Sequence, residues 1–167
     1  PPPLLAKVVH IWCASLRTSS QRLNDSWNLL LEDEKRAADK FISVQARENF
    51  IISRGILRLL LSKYLGTAPE KLVFKQGRYG KPYVKQDTEQ LPLQFNISHS
   101  KDLALFAFAL HNQIGIDIEY IQEDFSCEEI APQFFSKQEN IVLSALPKEQ
   151  QREAFFTCWT RKEAFIK

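Results

Sequence analysis

Two carboxylates stand two residues apart in Ile114-Gly115-Ile116-Asp117-Ile118-Glu119. Along an extended chain side chains alternate, so the three isoleucines share one face while Gly115, Asp117 and Glu119 share the other. Like charges this close raise one another's pKa unless a cation lies between them, and a hard divalent ion with oxygen ligands suits such a pair. Gly115, on the same face, leaves room for a phosphate to approach. The plainer reading is an edge strand with a solvated polar face.

A second segment bears on that choice. Trp159, Glu163 and Lys167 follow at i, i+4 and i+8, so they project from successive turns on one side of a helix. Taken alone, the Glu163–Lys167 spacing gives a helix pair worth about 0.3–0.5 kcal/mol. Taken with the acidic segment, Glu163 could complete a three-carboxylate Mg²⁺ site while Lys167 binds a phosphate.

The elements that must position these residues follow from periodicity and punctuation. Residues 8–13 are β-branched and aromatic enough for a first strand, and residues 26–41, rich in Glu, Lys and Ala, read as a helix. Residues 45–65 read as a long helix closed by Gly66, with Pro69 beyond. On its wheel Ile52, Ile56, Leu59 and Leu60 fall on one side and Arg47, Arg54 and Arg58 on the other; Ile51, Leu61 and Leu65 beside the arginines argue against a purely solvated face. A short strand over 72–75 leads into Gln76-Gly77-Arg78-Tyr79-Gly80-Lys81-Pro82, whose glycines and proline mark a binding loop. Strands follow at 93–97, 103–110 and 114–120, the last two joined by a polar turn at His111-Asn112-Gln113. Residues 125–146 read as helix with a break near Ser136, and 148–167 as a final helix. Strand, helices, strands, helices is an α+β order.

Composition narrows the classes. A chain of 167 residues, 44% hydrophobic, can bury the core of one domain or of two small lobes sharing an interface. Lys and Arg number 22 against 20 Asp and Glu, and a net charge of +2 leaves no nucleic-acid-binding footprint. No apolar run reaches the roughly 20 residues a membrane-spanning helix needs, and residues 1–5 lack the basic start of a secretory signal, so a cytoplasmic location is expected. Cys13, Cys127 and Cys158 lack a second Cys or His at zinc-ligand spacing and read as reduced packing residues.

Six ordered segments carry a resemblance. Ile114-Gly115-Ile116-Asp117-Ile118-Glu119, followed by Trp159-Thr160-Arg161-Lys162-Glu163-Ala164-Phe165-Ile166-Lys167, resembles the paired signature of the Sfp-type 4′-phosphopantetheinyl transferases. Arg78-Tyr79-Gly80-Lys81-Pro82 is similar to that family's G-K-P segment, and Phe95-Asn96-Ile97-Ser98-His99-Ser100 to its F-N-[IL]-S-H-S segment. Residues 53–58 and 134–139 match as well. Ordered motifs over nearly the whole chain are far more specific than a lone short pattern.

The resemblance implies a fold and a chemistry. The fold is a pseudo-twofold pair of α+β lobes with coenzyme A between them, 1–111 forming the N-terminal lobe and 112–167 the start of a C-terminal lobe that carries the metal site. Asp117, Glu119 and Glu163 would hold Mg²⁺, and Lys167 would meet the pyrophosphate of coenzyme A. Lys81, Ser98 and His99 would face its 3′-phosphoadenosine end, with Lys35, Arg47 and Arg54 as looser contacts to the 3′-phosphate. Members of the family continue past the last lysine of the motif, and this sequence stops there, within a helix that has no closing Gly, Asn or Pro. A fragment of a longer protein, with an incomplete second lobe, is therefore expected.

The reaction implied is attack by a serine hydroxyl of an apo acyl or peptidyl carrier protein on the β-phosphorus of coenzyme A. Glu163, Glu139 or a water on the metal could take the serine proton. A monomer is expected. Two rivals remain: another Mg²⁺-dependent enzyme that cleaves phosphoanhydrides, and a non-catalytic scaffold that binds carrier proteins.

Overall fold

The structure is a computed structural model that describes residues 1–77, 80–85 and 93–167. A three-stranded antiparallel sheet, in the order β1 (Val9–Ser15), β5 (Leu103–Leu110), β4 (Leu93–Ser100), forms its first layer. Alternation sends Phe95, Ala104, Phe106 and Phe108 into the core, where α3 (Val44–Leu65) meets them with Ile52, Leu57, Leu60 and Leu61. The helix is specified at both ends. Ser43 accepts the Ala46 N–H at 3.3 Å, and Gly66 turns into the left-handed region at φ 63°, as the sequence predicts. The wheel misplaces two residues: Leu59 is half exposed, and Arg58 is fully buried.

The single helix expected over 26–41 is instead two, α1 (Ser20–Leu29) and α2 (Glu32–Ala38). The break has a local cause: Leu31 is extended and its N–H donates to the Glu34 carboxylate at 2.9 Å, which starts a new helix there. A 3₁₀ turn (Pro69–Lys71) leads to a two-stranded hairpin of β2 (Phe74–Gln76) and β3 (Pro82–Val84). Arg78 and Tyr79 of the expected binding loop lie outside the described residues.

A second core is helical. α4 (Cys127–Phe134), α5 (Lys137–Ala145) and α6 (Lys148–Ile166) enclose Phe155 and Phe156, against which Phe125 and Phe135 pack with ring centroids about 5 Å apart. The break expected near Ser136 is present, and the architecture is α+β as predicted. The strand expected over 114–120 is absent. Among the described residues no helix is long and apolar enough to cross a membrane.

Candidate functional site

The missing strand is the key to the site. Residues 114–120 run extended beside β4, and their amides are taken by side chains in place of a backbone ladder. Because Phe95 and Ile97 face the core, Asn96, Ser98 and Ser100 face the other way. Ile116 N–H donates to Asn96 Oδ1 at 2.8 Å, Ile118 N–H to Ser98 Oγ at 3.3 Å, and Tyr120 N–H to Ser100 Oγ at 2.9 Å. The period of two inferred for the segment survives this change of partner. Asp117 is directed inward, its side chain 1% exposed, and Glu119 lies at the surface.

Asp117 is the centre of the cluster. Its Oδ1 accepts from Ser98 Oγ at 2.7 Å and forms an ion pair with Lys167 Nζ, which also donates to Ser98 Oγ at 3.2 Å. Its Oδ2 is buried with no hydrogen-bond partner among the described residues. A desolvated carboxylate oxygen without a donor is costly unless a cation or donor reaches it, so this atom suits a hard metal ion. Glu119 accepts from Ser100 Oγ at 3.2 Å.

Lys167 reaches Asp117 because the end of α6 sits directly on the acidic segment. A Cβ added at Gly115 would lie 1.8 Å from the Ala164 carbonyl oxygen. Only glycine allows that approach, so the space at residue 115 is filled by the helix backbone, and the expectation that it is kept for a phosphate is corrected. Glu163, one turn before Lys167, lines a pocket of about 1020 Å³ together with Phe134, Glu139, Trp159, Lys162 and Phe165. Among the described residues no three His, Cys, Asp or Glu side chains stand close enough to hold a metal together. Glu163 is therefore not gathered with Asp117 and Glu119 here.

Comparison with known proteins agrees with these motifs. Residues 15–111 match the family model described as "4′-phosphopantetheinyl transferase, N-terminal", and residues 113–167 that of the "4′-phosphopantetheinyl transferase superfamily". The chain is 39% identical over 164 residues to the 4′-phosphopantetheinyl transferase HetI of Nostoc sp., covering 98% of this chain and 69% of that protein. The chain belongs to the 4′-phosphopantetheinyl transferase superfamily. It is also 34% identical over 137 residues to the transferase gsp of Aneurinibacillus migulanus, covering 81% of this chain and 54% of that relative. Against Synechocystis slr0495, named a putative 4′-phosphopantetheinyl transferase, the chain likewise spans about half the relative's length, 56%. A holo-(acyl-carrier-protein) synthase from Bacillus anthracis, solved with CoA (3′,5′-ADP), gives a TM-score of 0.49 at 23% identity over 61% of this chain and 93% of its own, too loose to carry weight.

In this superfamily member the other predicted residues divide between two places. Lys81 Nζ donates to the Ile114 carbonyl at 2.5 Å, which ties the β2–β3 loop to the start of the acidic segment; burial pushes its pKa below the ordinary lysine value. Ser98 and His99 point to opposite faces of β4, Ser98 to Asp117 and His99 to solvent. Lys35, Arg47 and Arg54 lie around α1–α3. Lys35 pairs with Glu32 at 3.0 Å and Arg47 with Asp39 at 2.9 Å, both over the Trp27 ring, while Arg54 pairs with Glu34 at 3.3 Å and covers Phe74. The sequence reading passed over Asn96 and Ser100, although alternating polar residues on a strand that also feeds the core were the available signal.

Glu139 has a structural task. It closes a capping box at the start of α5, accepting Ser136 N–H at 2.7 Å while Ser136 Oγ accepts its own N–H at 3.3 Å, and it pairs with Lys162 at 2.9 Å. The Lys162 contact, with the Ser136 bonds, lowers its pKa to about 2. Because the folded value lies below the ordinary one, the stabilisation is full above that ordinary value, about 4.5, and is lost as pH falls toward 2. Glu139→Gln should therefore melt below the parent at neutral pH, with the gap closing as pH drops through that window. A gap that persists at pH 2 would show that the carboxylate's charge contributes nothing.

Proposed function

We propose that this protein transfers the 4′-phosphopantetheine group of coenzyme A to a serine of an apo acyl or peptidyl carrier protein. The reading rests above all on Asp117: a buried carboxylate with one orphaned oxygen, beside Lys167, where the two signature motifs of a transferase superfamily member meet. In the reaction the serine oxygen bonds to the β-phosphorus, the pyrophosphate P–O bond breaks, and adenosine 3′,5′-bisphosphate leaves.

Asp117 and Glu119 would hold Mg²⁺, with Glu163 joining them from α6. When bound, the ion would neutralise charge on the pyrophosphate. Lys167 supplies a second cation on a long flexible stem and would bind the same pyrophosphate. Lys81 and His99 would receive the 3′-phosphoadenosine end, Ser98 acting from the Asp117 side; Lys35, Arg47 and Arg54 are the further cations for the 3′-phosphate. A carboxyl held near pKa 2 is a weak base at neutral pH, which favours Glu163 over Glu139 as acceptor of the serine proton. We further place the N-terminal lobe at 1–111 and the second lobe from 112, in a monomeric cytoplasmic enzyme.

The direct test combines the protein, coenzyme A, Mg²⁺ and an apo carrier, read by mass spectrometry. A carrier heavier by one phosphopantetheine, with adenosine 3′,5′-bisphosphate released, is the expected result. Coenzyme A cleaved while the carrier stays unmodified would replace this reading with a hydrolase. Carrier bound but never modified would leave a scaffold.

A further inference from the structure

Residues 114–120 are held by three side chains spaced two apart on β4, and two of those contacts do more than satisfy amides. A serine hydroxyl carries one proton and two acceptor lone pairs. Ser98 Oγ accepts the Ile118 N–H, at 3.3 Å, so its own proton goes to Asp117 Oδ1 at 2.7 Å. Ser100 repeats the arrangement one step along, accepting from Tyr120 N–H at 2.9 Å and donating to Glu119 Oε2 at 3.2 Å. Each serine thus grips an amide together with the carboxylate of the residue before it. Asn96 begins the series with Ile116 N–H, and there the preceding residue is Gly115, which has no carboxylate to grip.

A backbone ladder would fix the amides and leave both carboxylates free to rotate. The side-chain clamp fixes both. At Asp117 it also chooses between the oxygens: Oδ1 is spent on Ser98 and Lys167, and Oδ2 is left buried and open. We propose that Ser98 and Ser100, aligned by Asn96, are positioning residues that set the direction in which Asp117 and Glu119 present their free oxygens to a divalent cation. This rests on the transferase reading above. Hydrogen bonds to ligating carboxylates orient them, and their loss costs roughly 10–100-fold in metal affinity.

The test uses Mn²⁺ uptake followed by electron paramagnetic resonance, with amide hydrogen exchange at Ile118 and Tyr120, on the parent and on S98A, S100A, S98T and S100T. All measurements are made well below the melting temperature. In the parent both amides should be protected although neither lies in a strand. Ser98→Ala should expose the Ile118 amide and Ser100→Ala that of Tyr120, each weakening Mn²⁺ binding about tenfold or more. The threonine variants keep the hydroxyl and should restore both readouts. Ser100 is more exposed than Ser98, so S100A stays informative if S98A fails to fold. Alanine variants that lose amide protection yet bind Mn²⁺ like the parent would show that the hydroxyls serve the backbone alone, overturning the proposal while the transferase reading stands. A parent that binds no Mn²⁺, with or without coenzyme A, would overturn the metal assignment and the proposal together.

Discussion

Glu34→Ala should destabilise the protein by about 3–5 kcal/mol, the cost typical of removing one partner from a buried ion pair. Glu34 is 5% exposed; it accepts from Arg58 Nε at 2.8 Å and from the Leu31 N–H, and it forms ion pairs with Arg58 Nη2 at 2.5 Å and Arg54 Nε at 3.3 Å. Arg58 has no exposed surface and donates through Nη1 to the carbonyls of Pro69 and Leu72. Without Glu34 two guanidinium groups lose the carboxylate they share, and burial already pushes the pKa of Arg54 below its ordinary value. For a chain of this length the loss corresponds to a fall of roughly 6–20 °C in melting temperature. Exchanging Glu34 and Arg58 together for Leu and Met should cost less than Glu34→Ala alone, because the fully buried Arg58 charge leaves with its partner and only Arg54, whose side chain is 20% exposed, is left to turn toward water. Urea midpoints for the two variants decide the matter; a loss under about 1 kcal/mol for Glu34→Ala would mean that water reaches the arginines. The pair also matters for the site, since Arg58 joins α3 to the carbonyls that precede β2 and the Lys81 loop.

How far the sequence could lead depends on whether a feature is written in local pattern or in contact. Gly66 at the end of the long helix and the strands over 93–97 and 103–110 are local, and both are found where expected. The segment 114–120 shows why pattern has a limit. An extended chain alternates its side chains whether strand backbone or serine hydroxyls hold its amides, so period two cannot name the partner. Ser98 and His99 are adjacent in one motif, yet adjacency on a strand means opposite faces, and only one of them reaches Asp117. Gly115 reads as open space until α6 is seen to fill it. Ser136-x-x-Glu139 is a capping box legible from spacing, and it assigns Glu139 a structural role that motif resemblance does not suggest. The buried state of Arg58 was beyond reach, because a wheel cannot show that Glu34, on another helix, lies across from it.

Asp117→Asn should reduce transfer by more than about 100-fold, since loss of a direct ligand should exceed the cost of losing its orienting partners. The substitution is nearly isosteric, keeps a carbonyl oxygen for Ser98 to bind, and removes the charge on which the orphaned Oδ2 depends. Its effect on the metal-free fold should be small. Lys167 is one-third exposed and can turn to solvent once its partner is neutral, so no buried charge is left unpaired. The contrast with Glu34 is the point: both carboxylates are buried and paired, but Glu34 faces an arginine with no route to water. Melting curves with and without Mg²⁺ and coenzyme A separate the two roles. Ligands present at about 100 times their Kd stabilise the parent by about 2.7 kcal/mol, and that gain should vanish in Asp117→Asn while the metal-free curve hardly moves. Full activity together with a full ligand-induced shift would remove Asp117 from the metal site. Glu163→Gln completes the comparison, because Glu163 lines the pocket along α6 and is not gathered with Asp117 and Glu119 into a group of three. If Glu163→Gln forfeits the shift as completely as Asp117→Asn, the end of α6 must draw Glu163 toward the acidic segment when the ligands bind. If it keeps the shift and loses only transfer, Glu163 is the base and the metal is held by the strand-side carboxylates alone.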